Sequence, residues 1–416
     1  MIEWSEQHLM IRDMLRKFIA TEIVPNREQL EHGDLPPYDI MRKLVNTFGL
    51  ADAARMRYEA EKRRDTDEPR TARAESPAAG RSTHAAGEFM AMQAMPIIEL
   101  SKYCPGMVTA MGVSMGLTAG AIMAKGTWRQ KDRWALPLLT LEKVGAWAIT
   151  EPASGSDAFG AMKATARRDG DDYILNGSKT FITNGPYADT IVFICKLDRG
   201  ESDPRDRQVV SFILDSDMEG LTRSKPLRKM GMHSSPTGEL FLDNVRAGRE
   251  RLMGESEEAS GGRAGAKLTF GAERSGVVAM ALGIVERCIE LCSEYARTRV
   301  QFGKPIGEFQ LIQLKLAKMY VARMNIRNML FRQIELAGHG KRLSFAEASA
   351  SKLYAAQATV EVCLEAVQLF GGNGYMAEYE VEQLCRDAKV LQIYGGTDEI
   401  QTSQVARSML AADEPL

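Results

Sequence analysis

Several features that would indicate a metal site, a disulfide framework or a nucleic-acid partner are missing from this sequence of 416 residues. Its six cysteines form no C-x-x-C pair, and its five histidines show no spacing typical of metal ligands. We therefore expect free thiols and no metal. The 53 lysines and arginines nearly balance the 55 aspartates and glutamates, which gives no reason to expect nucleic acid as a partner.

Long apolar runs are missing too. No uninterrupted apolar stretch approaches the ~20 residues that span a bilayer, and residues 1–6 lack the basic start and apolar core of a signal peptide. We expect no membrane partner, a cytoplasmic location and a small-molecule ligand. The length favours two or three domains.

Helical and strand patterns follow one another in the order α, β, α. Spacings of three and four residues, as in Ile11, Leu15 and Phe18, predict a helical domain over residues 1–144. Charged and small residues near 57–87 predict a mobile loop inside it. A β domain is predicted over residues 145–258 and a second helical domain over residues 259–416.

Turn signals punctuate the predicted β domain. Residues 172–175 alternate as in a strand and run into Asn176-Gly177, which predicts a hairpin turn. Residues 179–183 form a second strand pattern that ends at Asn184-Gly185. In the second helical domain, Val277, Met280 and Ile284 lie on one apolar stripe, and a later stripe contains Leu311, Leu314, Ala317, Val321 and Met324.

Glu273 continues the first of these stripes backwards, between Phe270 and Val277. Burial raises the pKa of a carboxyl group and costs free energy unless the group is used. A glutamate in the first helical turn, stabilised by the helix dipole or by Arg274, explains the same spacing without catalysis. From periodicity alone we favour this structural explanation.

Three glycine-containing loops are candidate ligand sites. Residues 147–157 begin as a strand and end in small residues, whose N–H groups and hydroxyls can bind an anion such as pyrophosphate. An ordinary turn between domains explains them as well, and without further context it is the favoured interpretation. Residues 370–375 are not a dinucleotide fingerprint, because no βαβ unit surrounds them. Like residues 394–397, they suit close approach by a ligand or a neighbouring subunit.

Seven motifs, in this order and spacing, resemble the acyl-CoA dehydrogenase family over nearly the whole chain. They are WAITEPASGS (147–156), FITN (181–184), KMGM (229–232), RVQFGK (299–304), QLFGGNGY (368–375), RDAK (386–389) and IYGGT (393–397). The resemblance implies an α+β multidomain fold with an N-terminal helical domain, a central β-barrel-like domain and a C-terminal four-helix bundle. It also implies a homotetramer.

The resemblance further implies FAD between the β domain and the bundle, with contacts from two subunits. Within one chain the expected contacts are Trp147, Ile149, Thr150, Gly155, Ser156, Phe181, Thr183, Thr397 and Glu399, with Thr183 near flavin N5. The diphosphate and adenosine contacts, expected mainly from the neighbouring subunit, are Arg299, Gln301, Phe302, Phe309, Gln310, Gln368, Leu369 and Gly372.

The chemistry implied by the family needs one carboxylate and one flavin. The carboxylate removes the α proton of an acyl thioester, and flavin N5 takes a hydride from the β carbon. Many family members carry this base where the present sequence has Gly395. A group resembling isovaleryl-CoA and long-chain acyl-CoA dehydrogenases carries it directly before an arginine, here Glu273-Arg274. We therefore predict that Glu273 is the catalytic base and that the backbone around Gly395 holds the thioester oxygen.

Substrate contacts are expected from Ser156, Gly271, Arg274 and Gly396, and electron-transfer flavoprotein is the expected electron acceptor. Gly395 and Gly396 leave space, which predicts a branched or medium acyl chain. Gly271 replaces an acidic residue of some relatives, so a carrier-protein thioester is an alternative substrate. Phe181 stands where many relatives have tryptophan, so a flavin oxidase or monooxygenase is an alternative activity. A non-catalytic subunit with the same fold is a third possibility.

Overall fold

The computed structural model describes residues 3–32, 35–67, 83–201, 203–260 and 263–411, without the side chains of residues 67, 83–85, 260, 263–273 and 275. Helices come first, a curled β-sheet follows, and a helical bundle completes the chain.

Short and medium helices make up the N-terminal part. Ser5 accepts a hydrogen bond from the His8 backbone N–H and begins the first helix, on which Leu15 and Phe18 are buried as predicted. A π-helical turn at Gly112–Thr118 joins the sixth and seventh helices. The helices are α1 (Glu6–Phe18), α2 (Arg27–Glu31), α3 (Tyr38–Thr47), α4 (Leu50–Asp67), α5 (Thr83–Ser101), α6 (Pro105–Met111), α7 (Ala119–Lys125), α8 (Trp128–Gln130) and α9 (Leu136–Leu139).

The loop predicted near 57–87 is wrong at both ends, because α4 continues to Asp67 and α5 begins at Thr83. Tyr58 is buried, and its hydroxyl donates to Asp132 Oδ1 at 2.6 Å. Lys62, one turn later, pairs with the same carboxylate at 2.8 Å. One face of this charged helix is therefore anchored by polar contacts, which an apolar periodicity cannot reveal. Residues 68–82 lie outside the described residues.

The central part is a mixed sheet in the order β1-β4-β2-β3-β7-β6, with β5 paired to β4. β1 runs parallel to β4, with Trp147 opposite Val192. The inner face is a continuous apolar core that includes Phe193 and Phe212. The strands are β1 (Gly145–Ala148), β2 (Thr165–Asp169), β3 (Asp172–Thr183), β4 (Thr190–Asp198), β5 (Val209–Asp215), β6 (Leu221–Arg223) and β7 (Thr237–Ala247).

The hairpin predicted at Asn176-Gly177 is wrong. β3 passes through these residues and pairs with β7 on both sides, with a shift in register between Leu175 and Gly177. Gly177 has φ +143°, and a Cβ there would lie 2.7 Å from Ala164 Cβ. The glycine therefore serves a bulge and a close strand contact, which give the same local signal as a turn.

The C-terminal part is a helical bundle built around one long helix. This helix packs against α5 and against the two helices that follow it. The elements are α10 (Glu257–Ser260), α11 (Arg263–Thr298), β8 (Val300–Gln301), β9 (Lys304–Pro305), α12 (Gln310–Gly338), α13 (Phe345–Phe370), α14 (Glu380–Lys389) and α15 (Asp398–Ala411).

The two predicted C-terminal stripes have opposite environments. Val277, Met280 and Ile284 of α11 are buried. On α12, Leu314 is 51 % exposed and Val321 is 56 % exposed, while Met319 and Ile326 form the buried face. The second apolar stripe therefore faces outward on the single chain.

Within the described part of the chain, one segment, Pro105–Lys125, is long and apolar enough to cross a membrane by length and mean hydropathy, and 39 % of its most apolar window is buried within the protein. A core helix meets the same criteria, so one such segment is weak evidence for a membrane span.

A buried acidic cluster joins the three parts of the fold. Glu31 of α2 lies 3.6 Å from His233 Nδ1 and 4.0 Å from Arg386 Nη1. The neighbouring Asp387 carboxylate accepts the Met232 N–H. Burial, followed by the charge of Asp387, raises the pKa of Glu31 to about 8. Burial also raises the pKa of Asp387.

We expect Glu31→Gln to change how stability depends on pH. Because the pKa of Glu31 is higher in the folded than in the unfolded chain, its contribution to stability is complete below the unfolded value and is lost as pH rises toward about 8. The variant should be about 1–2 kcal/mol more stable than the parent near pH 9. Near pH 5 it should have no such advantage.

Scanning calorimetry at both pH values checks this expectation. Glu28→Gln, on an exposed position of the same helix, is the control. An equal shift in Tm at both pH values would contradict a titrating Glu31.

Candidate active site

A buried ion pair fixes the end of β1. Glu151 accepts hydrogen bonds from the backbone N–H groups of Lys163 and Ala164 at 2.7 and 2.9 Å. Lys179 Nζ donates to Glu151 at 2.9 Å and to the Ile149 carbonyl at 3.0 Å. Lys179 is 0 % exposed, and burial lowers its pKa, although Glu151 acts in the opposite direction. Two of these contacts hold residues 149–151 against β3, and the other two hold Glu151 against residues 163 and 164 before β2.

The predicted flavin-contacting residues of β1 and β3 lie together where residues 147–150 meet residues 180–183, a place called the sheet edge below. The Thr180 N–H donates to the Thr150 carbonyl at 2.9 Å. Phe181 next to it is 69 % exposed and has φ +57°. A bulky residue with positive φ is uncommon and marks a functional candidate. Thr183, two residues further along β3, is half-buried.

Asn184, directly after β3, connects this edge to the N-terminal helices. Its amide nitrogen donates to the carbonyls of Ala110 and Gly145, both at 2.9 Å, and its oxygen accepts from the Tyr38 hydroxyl at 3.1 Å. The predicted turn at Asn184-Gly185 is confirmed, with φ +64° at Asn184. This one side chain ties together α3, α6 and β1.

Open space borders the edge on two sides. The turn Gly112–Thr118 packs beside both β1 and α11. A Cβ added at Gly112, at Gly116 or at Gly276 of α11 would meet no atom within 4 Å. The same holds for Gly155, which lies with exposed Ser156 in the loop after β1. The backbone of that loop is therefore accessible to a ligand.

The N-terminal half of α11 carries the predicted base, but the side chains of Glu273 and Gly271 lie outside the described residues. Arg274 is described and buried, with Nη1 donating to Ser349 Oγ at 3.1 Å and the guanidinium 4.5 Å from the Phe345 ring. These contacts hold α11 against α13. The expected contact of Arg274 with the substrate stays a prediction.

Two chains of contacts bring this part of α11 close to the loop at 394–397. Ser349, the partner of Arg274, lies one turn before Lys352, whose Nζ donates to the Gly396 carbonyl at 2.8 Å. Two turns along α11, Met280 Sδ accepts from the Tyr394 hydroxyl at 3.2 Å. Position 273 is about 10 Å along the helix from Met280 and on the same stripe.

The loop itself is built for glycine. Gly395 and Gly396 have φ +61° and +95°, a region that costs other residues free energy. Thr397 Oγ1 accepts from the Ile400 N–H at 3.4 Å at the start of α15. Glu399 is exposed, and hydrogen bonds from its own backbone and from Thr397 lower its pKa. It is therefore an anionic acceptor at neutral pH.

The contacts expected from a neighbouring subunit lie on the surface. Phe302 is 94 % exposed at the tip of the β8–β9 hairpin and has φ +52°, a value that hairpin turns normally reserve for glycine or asparagine. Phe309 packs against it at 6.1 Å. Leu369 is the exception, because its side chain is buried in the helical core and leaves only its backbone for a ligand. The exposed members are Arg299, Gln301, Gln310, Gln368 and Gly372.

Sequence reasoning missed the residues that hold the site in place. Lys179, Asn184, Lys352 and Gln401 are each 0 % exposed and each donate to main-chain carbonyls. The signal available was a polar residue at a buried position of a strand or helix pattern. Among the described residues, no group of three or more His, Cys, Asp or Glu side chains could hold a metal ion.

Two family profiles match the chain. The acyl-CoA dehydrogenase middle domain matches residues 146–245, and the acyl-CoA dehydrogenase C-terminal domain matches residues 260–410. A 3-(aryl)acrylate reductase of Clostridium sporogenes is 33 % identical over 98 % of this chain and 99 % of its own length. A short-chain specific acyl-CoA dehydrogenase of Megasphaera elsdenii is 37 % identical over 76 % of this chain and 81 % of its own.

The chain belongs to the acyl-CoA dehydrogenase family. Butyryl-CoA dehydrogenase from Megasphaera elsdenii has the same fold, with a TM-score of 0.82 at 30 % identity over 98 % of this chain and 99 % of that one. A chain from a study of the electron transferring flavoprotein of Acidaminococcus fermentans also matches, with a TM-score of 0.82 at 30 % identity over 99 % of this chain and 100 % of that one. The prolyl acyl carrier protein oxidase AnaB matches with a TM-score of 0.79 at 27 % identity over 99 % of this chain and 100 % of that one.

We expect Lys179→Met to destabilise this acyl-CoA dehydrogenase fold by about 3 kcal/mol, because it leaves the buried Glu151 carboxylate without its cation. Adding Glu151→Gln should recover part of the loss. Urea unfolding measures both.

Lys163→Met is the matched control, since the Lys163 side chain is exposed and only its backbone contacts Glu151. A Lys179→Met variant as stable as this control would show that the ion pair contributes little.

Proposed function

We propose that this chain is an FAD-dependent dehydrogenase that converts the saturated Cα–Cβ bond of an acyl-CoA thioester to the trans-2-enoyl thioester. Family membership supports the reaction class. For this chain, the main support is that the glycine loop at 394–397 lies beside the α11 stripe that bears Glu273. Met280 of α11 contacts the loop directly. Ser349 and Lys352 of α13 link the loop to Arg274 of α11.

In the proposed reaction Glu273 takes the α proton. Gly395 has no side chain to act as a base, so the carboxylate must come from another segment. α11 begins ten residues before position 273, and Gly276, one turn after it, borders space that is free of protein atoms. This isovaleryl-CoA-type placement of the base rests on the sequence and on the position of the α11 backbone.

FAD is the proposed cofactor, and when bound it supplies the acceptor for the β hydride. The edge of β1 and β3 fits a planar ring, because Trp147 and Thr183 are half-buried there and Phe181 projects from it. The loop at Gly155 and Ser156 offers an accessible backbone for phosphates. Ser156, Gly396, Gly271 and Arg274 are the proposed substrate contacts.

A short, medium or branched acyl chain is the proposed substrate class. The two glycines at 395 and 396 leave room beside the reacting carbons, which supports a branched or medium chain. The name of one relative, a short-chain specific acyl-CoA dehydrogenase, supports the short end of this range. Electron-transfer flavoprotein is the proposed acceptor, and the cytoplasmic location stays a prediction.

A second candidate is an oxidase that acts on a carrier-protein thioester, which the likeness to AnaB and the exposed Phe181 favour. Reoxidation separates the two. A substrate-reduced enzyme that is reoxidised slowly by air and rapidly by electron-transfer flavoprotein supports the dehydrogenase. Rapid reoxidation by air alone supports the oxidase.

We expect anaerobic titration with a panel of acyl-CoAs to bleach the flavin absorbance of the FAD-loaded protein, and Glu273→Gln to slow bleaching about 10³-fold with FAD still bound. Without the carboxylate, no group is in place to accept the α proton. Stopped-flow absorbance measures the rate.

Glu294→Gln, at an exposed position of the same helix, is the control and should bleach at the parental rate. If no acyl-CoA bleaches the parent protein, the proposed function is wrong. If Glu273→Gln bleaches normally, the base is another residue.

A homotetramer is the proposed assembly, and the outward stripe of α12 supports it. Leu311, Leu314 and Val321 are more than half exposed in the single chain. Such a continuous apolar face on a helix normally marks an interface. The exposed FAD contacts near β8 and β9 are then supplied to a neighbouring chain, so assembly and FAD retention should change together.

We expect the double substitution Leu314→Glu with Val321→Glu to lower the molar mass in light scattering and to reduce the FAD content of the purified protein. Each buried glutamate would cost several kcal/mol at an apolar interface. Met56→Glu, at a 73 % exposed position of α4, is the control. Unchanged mass would exclude this face as the interface.

A further inference from the structure

Two buried side chains hold the carbonyl groups of the glycine loop. Gln401 Nε2 donates to the Gly395 carbonyl at 2.9 Å and to the Gly396 carbonyl at 3.1 Å. Lys352 Nζ donates to the Gly396 carbonyl at 2.8 Å. Both side chains are 0 % exposed. Two consecutive carbonyls are therefore fixed on the side of the loop covered by α13 and α15.

The planar trans peptide then fixes the donors on the other side. In each peptide group the N–H points opposite to the C=O. The N–H groups of Gly396 and Thr397 must therefore point away from Lys352 and Gln401. The contact is too close for any side chain at residue 396, because a Cβ there would lie 2.6 Å from Gln401 Nε2.

The charge of Lys352 adds to this geometry. Its ammonium group lies 3.6 Å from Asp398 Oδ1 and donates directly to the Gly396 carbonyl. A cation at a carbonyl oxygen polarises the peptide group and makes its N–H a better donor. Donors that are oriented in advance, away from bulk water, stabilise charge that develops in a transition state.

We propose that Gln401 and Lys352 are positioning residues that orient the backbone N–H groups of the Gly395–Thr397 loop toward the thioester oxygen of the substrate. This inference rests on the proposed acyl-CoA dehydrogenation. Side chains of α13 and α15 then hold two consecutive glycines that have no side chains of their own. Neither residue contacts the reacting atoms, so their loss should reduce kcat more than it raises KM.

Gln401→Glu tests the proposal with almost no change in shape, since the carboxylate replaces a donor to both carbonyls with an acceptor. Lys352→Met removes the ammonium and keeps the length of the chain. Each FAD-loaded variant is compared with its control, Gln357→Glu or Lys341→Met, both at exposed positions. The measurements are kcat and KM with the best acyl-CoA of the panel, and the Kd of two ligands that do not react.

The two ligands are the trans-2-enoyl-CoA and the S-alkyl-CoA thioether that lacks the carbonyl. Gln401→Glu should lower kcat about 100-fold. It should raise the Kd of the enoyl-CoA about tenfold and the Kd of the thioether less than twofold. Lys352→Met should act in the same direction with a smaller effect.

The proposal would be overturned if the Kd of both ligands rose equally, or if kcat and the Kd of the enoyl-CoA were unchanged. If Gln401→Glu does not fold, Gln401→Met, which removes the hydrogen bonds without repulsion, gives the same comparison. A parent protein that no acyl-CoA reduces would refute the proposed function, whereas an active parent with unaffected variants would refute this inference alone.

Discussion

The buried pair of Lys179 and Glu151 is the contact on which the candidate site depends most. A charged amine and a carboxylate in the interior are costly unless every atom is satisfied. Here the carboxylate receives two backbone N–H groups as well as the ammonium, and the ammonium also reaches the Ile149 carbonyl. The free energy spent on burial fixes the end of a strand that would otherwise be free to leave the sheet edge.

In the helical half of the site, other buried polar side chains also fix the backbone by hydrogen bonds. Lys352 and Gln401 satisfy main-chain carbonyls of a loop, as Lys179 does at the end of β1. Asn184 does the same at the end of β3, where it ties the sheet to the N-terminal helices through Ala110 and Gly145. The surfaces that face the ligand can therefore consist largely of backbone and small side chains. Specific positioning comes from polar groups behind them.

The sequence predicts the order of the three parts, the apolar stripes of α1 and α11, and the absence of a side-chain base at Gly395. These features follow from local periodicity or from single residues. It does not predict the bulge at Gly177, because an Asn-Gly pair is equally compatible with a hairpin. It also misses the length of α4, because the face that anchors α4 is polar and its partner, Asp132, is distant in the chain. The outward direction of the α12 stripe is likewise a property of tertiary packing, which periodicity leaves undetermined.

The exposed hairpin tip at Phe302 affects how the protein behaves at low concentration. A phenyl ring in water, on a backbone conformation it disfavours, is an unfavourable state that only a covering surface relieves. Under the proposed assembly that surface belongs to another subunit and to the adenosine end of FAD. Mass action then links the two equilibria. Dilution would release the coenzyme and the subunits together, and excess coenzyme would protect the assembly against dilution.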